Sequence, residues 1–182
     1  MLHCWLDYNN LYDHGRIAKL QIGGIGQFPV FSGMGNYINR PECSDLKNAA
    51  IPPGSYWIVD RPIGGLYSRG QTLVKHIWTG NHYGEWFGLF RKDGVIDDKT
   101  AFDAGHGISF YRGGFRMHPL RPDGTGISEG CITFYRHEDF NTVRQALLHT
   151  QRHDVLGAGQ LQAYGDVTVI GRAPGNCHVE PT

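Results

Sequence analysis

The sequence predicts a mostly β, α+β fold: a single domain over residues 1–182 with at least one helix after Cys131. Three observations carry the prediction. The chain has 182 residues, near one average domain at roughly 150 residues each and long enough to bury about two-thirds of the surface an unfolded chain exposes. Glycine fills 26 positions, and Phe 9, Tyr 9 and Trp 4 make the chain aromatic-rich, a composition that suits short strands joined by tight turns. One late segment carries helical periodicity.

Taken in order, Ile17–Ile22 and Gln27–Ser32 flank Gly23-Gly24-Ile25-Gly26 and read as a hairpin. Gly33–Asn48 is rich in turn formers and reads as a loop. Pro52-Pro53-Gly54 launches the β-branched and aromatic run Ser55–Val59, a strand. Further strands are expected at Thr72–Trp78, Trp86–Arg91 and Ile108–Tyr111. From Glu138 to His153, Phe140, Val143, Leu147 and Thr150 recur at three- and four-residue steps, the apolar face of a helix. Glu138 and Asp139 open it and Arg152 and His153 close it, as the helix dipole favours. Val167–Ile170 reads as a closing strand.

Charge excludes several classes. Lys and Arg together number 17 and Asp and Glu 17, so the basic excess typical of a nucleic-acid binder is missing. No run approaches the ~18 apolar residues of a membrane span. Met1–Asp7 has neither a basic n-region nor a continuous apolar stretch, so no standard export signal is expected. Cys4, Cys43, Cys131 and Cys177 form no C-x-x-C pair, and four cysteines allow three disulfide connectivities. H-E-x-x-H, the P-loop and the full G-x-G-x-x-G are missing, and His76/His82 is a loose pair; no metal and no cofactor is implied.

The informative stretch runs from Arg112 to Phe134. Cys131 and His118, thirteen positions earlier, are the candidate catalytic pair. A cysteine attacks carbonyls as the thiolate, and a neighbouring imidazole serves as its proton-transfer partner. Gly130 lets backbone N–H groups approach a developing oxyanion. Set against this, a cysteine taken at random is more often inert core. Gly126-Ile127-Ser128-Glu129-Gly130 also matches the G-x-S-x-G nucleophile elbow. An elbow needs a strand before the serine and a helix after it, whereas a Pro/Asp/Gly loop and a β-prone run flank Ser128, which fits better as a hydrogen-bonding member of a cysteine site. Trp78–Trp86 could stack on sugar, although an aromatic β core is the commoner explanation.

His118, the loop after it and Ser128-Glu129-Gly130-Cys131 resemble the H-x(n)-[ST]-x-G-C signature of YkuD-type L,D-transpeptidases. Phe31–Gly35, Asn39-Arg40-Pro41 and Ala50–Ile58 are similar to a subgroup of that superfamily, the L,D-transpeptidase-like toxins of bacterial type VI secretion systems. The resemblance covers roughly Trp5 to Tyr135. It implies a β-rich YkuD-like fold and action at the diaminopimelate–D-Ala bond of peptidoglycan tetrapeptide stems. Cys131 would attack, His118 would act as base and then acid, and the Gly130 and Cys131 N–H groups would hold the oxyanion. Water as acceptor gives L,D-carboxypeptidase activity, a free D-amino acid gives exchange, and a second stem gives a crosslink. Two departures stand out: Glu129 where the larger family usually has histidine, and Ile132-Thr133 where an arginine is often found. Arg112, Arg116 and Arg136 are the candidate substrate-carboxylate partners by sequence proximity. Ser128 or a carbonyl near Pro119 is the candidate for orienting His118.

With no export signal, a wall-directed enzyme implies injection into a neighbour's periplasm. That implies a secretion-apparatus component and a periplasmic immunity protein as partners. Two other readings remain open: a serine hydrolase using Ser128 with His149 or His153, and a catalytically inactive wall-binding domain, for which Glu129 is the best argument.

Overall fold

The computed structural model describes residues 1–60, 85–95, 97–103, 109–121, 128–155, 161–175 and 177–178. The strands are β1 (Leu2–Asp7), β2 (Ala18–Ile22), β3 (Gly26–Phe31), β4 (Gly54–Asp60), β5 (Phe87–Arg91), β6 (Lys99–Asp103), β7 (Ser109–Gly113), β8 (Arg116–Pro119), β9 (Ile132–Phe134), β10 (His153–Asp154) and β11 (Gln162–Ile170). The helix is α1 (His137–Leu148).

Eight strands close into a barrel. The ring runs β1-β2-β3-β9-β8-β5-β4-β11, and β11 returns to β1. That closing pair is parallel, from Leu2 opposite Gly165 to Asp7 opposite Ile170. A closed ring leaves none of its strands with an unpaired edge. β1 earns its place by strict alternation: Cys4 and Leu6 are buried, while His3 and Trp5 are exposed. β10 pairs with the start of β11, and β6 and β7 form a separate hairpin. That hairpin is docked by Phe102, whose ring stands edge-on to Phe115 at 6.5 Å and lies under the Arg91 guanidinium at 4.2 Å.

The hairpin predicted from Ile17 to Ser32 is β2–β3, with Ala18 opposite Val30 and Ile22 opposite Gly26. The strand expected over Ser55–Val59 is β4, and β5 and β7 fall where aromatic runs predicted them. The strand expected at Thr72–Trp78, the His76/His82 pair and most of the Trp78–Trp86 stretch lie outside the described residues.

α1 buries Phe140, Val143 and Leu147 on one face, as its periodicity requires. Phe140 meets Phe134 edge-on at 5.6 Å. The helix stops at Leu148, short of the expected His153. The His149 N–H closes the last turn on Gln145 O, and His153 leaves to pair with Ala163.

None of the three two-bond connectivities open to the sequence forms in full: one bond is present, Cys43–Cys177, across 134 residues of chain. It ties the short 3₁₀ turn Pro41–Cys43 to the C-terminal segment. Cys4 and Cys131 are free.

Candidate active site around Cys131 and His118

His118 stands on β8, and Cys131 immediately before its parallel neighbour β9. β8 pairs with β9 so that Met117 faces Ile132, His118 faces Thr133 and Pro119 faces Phe134. Cys131 immediately precedes β9, two residues before the partner of His118. In an extended chain that spacing returns a side chain to the same face.

The imidazole is held from two sides. Its Nδ1 lies 2.8 Å from Pro119 O. A carbonyl can only accept, so Nδ1 carries a proton, and in the neutral ring Nε2 is then the acceptor nitrogen. The Trp86 ring stacks on the imidazole, with centroids 4.1 Å apart and planes 16° from parallel. His118 is only 4% exposed, so packing fixes its orientation. The Trp86 stack was missed in sequence because a ring 32 positions away gives no local signal.

The half-buried Cys131 sits on a turn built by other residues. Ser128 is fully buried; its Oγ donates to Cys131 O at 2.8 Å and accepts from the Gly33 N–H at 3.1 Å. This hydroxyl clasps the cysteine turn to the segment leaving β3. The serine-hydrolase reading needs that oxygen exposed beside a base. His149 instead lies exposed with Nδ1 on Gln145 O, and His153 is exposed on β10. Gly130 has φ +93°, and a Cβ there would stand 2.6 Å from both Arg112 Nη2 and Phe115 Cε1. Only glycine fits that conformation and approach without strain. Residues 122–127, which include the Pro/Asp/Gly loop before Ser128, lie outside the described residues.

Arg112 is the principal brace, which sequence proximity did not reveal. Its Nη1 donates to Ser44 O and Ala50 O at 2.8 and 2.9 Å, and its Nη2 to Lys47 O, Ala49 O and Glu129 O at 3.1 Å each. The side chain thus fastens the 44–50 segment to the residue before Gly130. Burial lowers its pKa, and the ring of carbonyl dipoles compensates the buried charge.

The substrate-carboxylate role expected of Arg112, Arg116 and Arg136 meets three guanidiniums already committed. Both terminal nitrogens of Arg112 face carbonyls. Arg116 grips Asp98 with both nitrogens, Nη1 to Oδ1 at 2.7 Å. Arg136 forks onto Asp139 in the first turn of α1, with Nε and Nη2 each 2.9 Å from an oxygen. Ile132 and Thr133 are fully buried on β9, so no carboxylate is met there either. Glu129 points outward and pairs with Lys47 at 3.3 Å.

Electrostatics at Cys131 oppose a resting thiolate. Burial pushes its thiol from 9.0 up to about 11, while a hydrogen bond from the Arg116 backbone and the Arg116 charge pull the other way. A cavity of about 650 Å³ opens beside Arg112, bordered by Asp98, Lys99 and Tyr111. A larger one of about 1020 Å³ lies elsewhere, and neither cavity is lined by His118 or Cys131. Among the described residues no group of His, Cys, Asp and Glu is arranged to hold a metal ion, and no helix is long and apolar enough to cross a membrane.

Fold and site together define a β-barrel domain with an oriented histidine on the strand beside a cysteine-bearing glycine turn. Residues 26–158 match the family model described as the Tlde1 domain. The chain therefore belongs to the Tlde1 domain family, antibacterial type VI secretion effectors directed at peptidoglycan. No curated protein matches the chain.

Proposed function

We propose that residues 1–182 form one YkuD-like catalytic domain, a cysteine L,D-carboxypeptidase and L,D-transpeptidase that cuts the diaminopimelate–D-Ala bond of tetrapeptide stems in a target bacterium's periplasm. The observation that supports it is the parallel pairing of β8 with β9: Cys131 enters β9 beside the strand that carries an imidazole with Nδ1 on Pro119 O.

With the thiol pushed up to about 11, the nucleophile waits as S–H. His118 Nε2 takes that proton as Sγ bonds the diaminopimelate carbonyl carbon, and the Gly130 and Cys131 N–H groups meet the oxyanion. The C–N bond then breaks, the imidazolium returns the proton to the leaving amine, and D-Ala departs from a thioester. Water or the amine of a D-amino acid closes the cycle. Lys99, exposed beside the 650 Å³ cavity and in no ion pair among the described residues, takes over the stem carboxylate from the committed arginines. The Cys43–Cys177 bond supports a working life in an oxidising compartment such as the periplasm.

Purified disaccharide-tetrapeptide, incubated with and without a free D-amino acid and read by mass spectrometry, tests this. Loss of one D-Ala, or its replacement, is expected from the wild type and not from Cys131→Ala. An unchanged tetrapeptide under both conditions refutes the proposal. Full loss in Ser128→Ala with turnover surviving in Cys131→Ala would instead favour the serine reading. Retention on the wall with no change in any stem would favour the inactive wall-binding reading.

A further inference from the structure

The arginines near Cys131 in sequence are committed to carbonyls and carboxylates, whereas Arg16 and Arg172 form no ion pair among the described residues and Arg40 holds a single carbonyl. Arg16, Arg40 and Arg172 line the cavity of about 1020 Å³, where Glu42 is the one carboxylate among the described lining residues. None of the three forms an ion pair among the described residues. The chain's formal net charge is zero, so this cationic concentration is local.

The wall of the cavity is built from fixed parts. Asn39 takes φ +55° and donates to Gly15 O at 3.0 Å and Arg16 O at 2.7 Å. The Tyr135 hydroxyl donates to the same Arg16 O at 2.9 Å. Across the cavity, Arg40 Nη1 donates to His178 O at 2.9 Å, the Gly175 N–H to Glu42 O at 3.2 Å, and the Cys43–Cys177 bond locks both segments together. Three guanidiniums around a hollow of ligand size, two of them on segments fixed by these bonds, suit a flexible ligand with several carboxylates.

We propose that this cavity is a second binding site for the carboxylate-bearing peptide stems of peptidoglycan, separate from the cleavage position. The ligand assignment rests on the wall-directed reading above. A diaminopimelate-containing stem carries several free carboxylates on a short flexible peptide. Tyr135, on the cavity wall, follows Cys131 by four residues, about 13 Å at 3.3 Å per extended residue. A neighbouring stem held here raises the effective concentration of the one presented to Cys131.

The test compares the full chain with an Arg16→Gln/Arg172→Gln variant, measured by co-sedimentation with purified sacculi and by turnover of soluble disaccharide-tetrapeptide. Sacculus affinity is expected to fall about tenfold, and its salt dependence to flatten. Turnover of the soluble substrate and the Tm should stay unchanged. A second arm uses sacculi stripped of stems by an amidase, on which wild type and variant should bind equally weakly. Unchanged affinity for intact sacculi overturns the site. An equal loss on stripped glycan overturns the assignment to stems. If the wild type turns over no tetrapeptide, the catalytic proposal fails while sedimentation still decides this one.

Discussion

Arg112 Nη2 lies 3.1 Å from the carbonyl oxygen of Glu129, one residue before Gly130 and two before Cys131. The same guanidinium reaches four carbonyls of the 44–50 segment. That segment starts next to Cys43, whose disulfide carries the linkage on to Cys177. The cysteine turn is therefore secured through a buried fork to a part of the chain about 80 positions earlier. Lysine keeps the charge but presents three donors at a point and cannot span both sets of carbonyls. Arg112→Lys is expected to leave at least two buried carbonyls unpaired, at about 3 kcal/mol in all. Thermal melts should show a fall of roughly 6–12 °C, with kcat reduced more than KM. Full kcat in this variant would mean the brace does not position Cys131.

At Gly130 the cause is steric. Gly130→Ala forces a left-handed φ on a residue with a Cβ and drives that atom to 2.6 Å from Phe115 and Arg112. Backbone strain and overpacking cost about 1–3 kcal/mol each. The variant should melt at least 5 °C below wild type, and its Cys131 should react faster with iodoacetamide as the turn loosens. A wild-type melting temperature would show that the turn relaxes at no cost.

The thiols give a pH dependence with a definite sign. Burial raises Cys131 to about 11 and Cys4 to about 12, each from 9.0. A group with a raised folded pKa contributes stability that is complete below its unfolded value and lost as pH climbs through the folded one. Stability to urea should hold up to about pH 9 and decline between 9 and 12, and Cys4→Ala should narrow the decline. Alkylation of Cys131, followed by peptide mass mapping, should quicken about tenfold per pH unit up to near 11. A plateau below pH 9 would contradict the burial argument.

Reducing the Cys43–Cys177 bond opens a loop of 134 residues. The chain-entropy relation puts its stabilisation at about 5 kcal/mol. Melting in a strong reductant should therefore come roughly 10–20 °C lower. Cys43→Ala should show the same lower value without reductant and no further change with it. A reductant-insensitive wild type would mean the packed segments hold without the bond.

Lys99 supplies a kinetic prediction. It stands exposed beside the 650 Å³ cavity, and pairing with a substrate carboxylate there affects binding more than chemistry. Lys99→Gln should raise KM for the tetrapeptide about three- to tenfold, consistent with ~1 kcal/mol for an exposed pair, and leave kcat and Tm near wild type. An unchanged KM removes Lys99 from substrate binding.

Much of the fold was legible because strand and helix periodicities are local. Ile17–Ser32 announced β2 and β3 through their glycine turn, and Phe140, Val143 and Leu147 announced the buried face of α1. Cys131 and His118 were legible as a candidate pair because their residue types and glycine-rich surroundings lie close together in sequence. β1 was not read as a strand: its six residues alternate inward Cys4 and Leu6 with outward His3 and Trp5, a pattern too short to stand out alone. Its partner β11 lies some 160 positions away, and only closure of the barrel brings them together.

The sequence by itself determined a β-rich chain, one amphipathic helix and a cysteine and histidine thirteen positions apart, because each depends on neighbours within a few residues. Tertiary structure alone decided which cysteines join, and that Ser128 turns its hydroxyl onto Cys131 O. It also directed Arg112 at backbone carbonyls while leaving Arg16 and Arg172 without an ion pair among the described residues, beside a cavity. A hydrogen-bond donor is satisfied by whatever acceptor the closed barrel brings within about 3 Å, and distance along the chain carries no record of that choice.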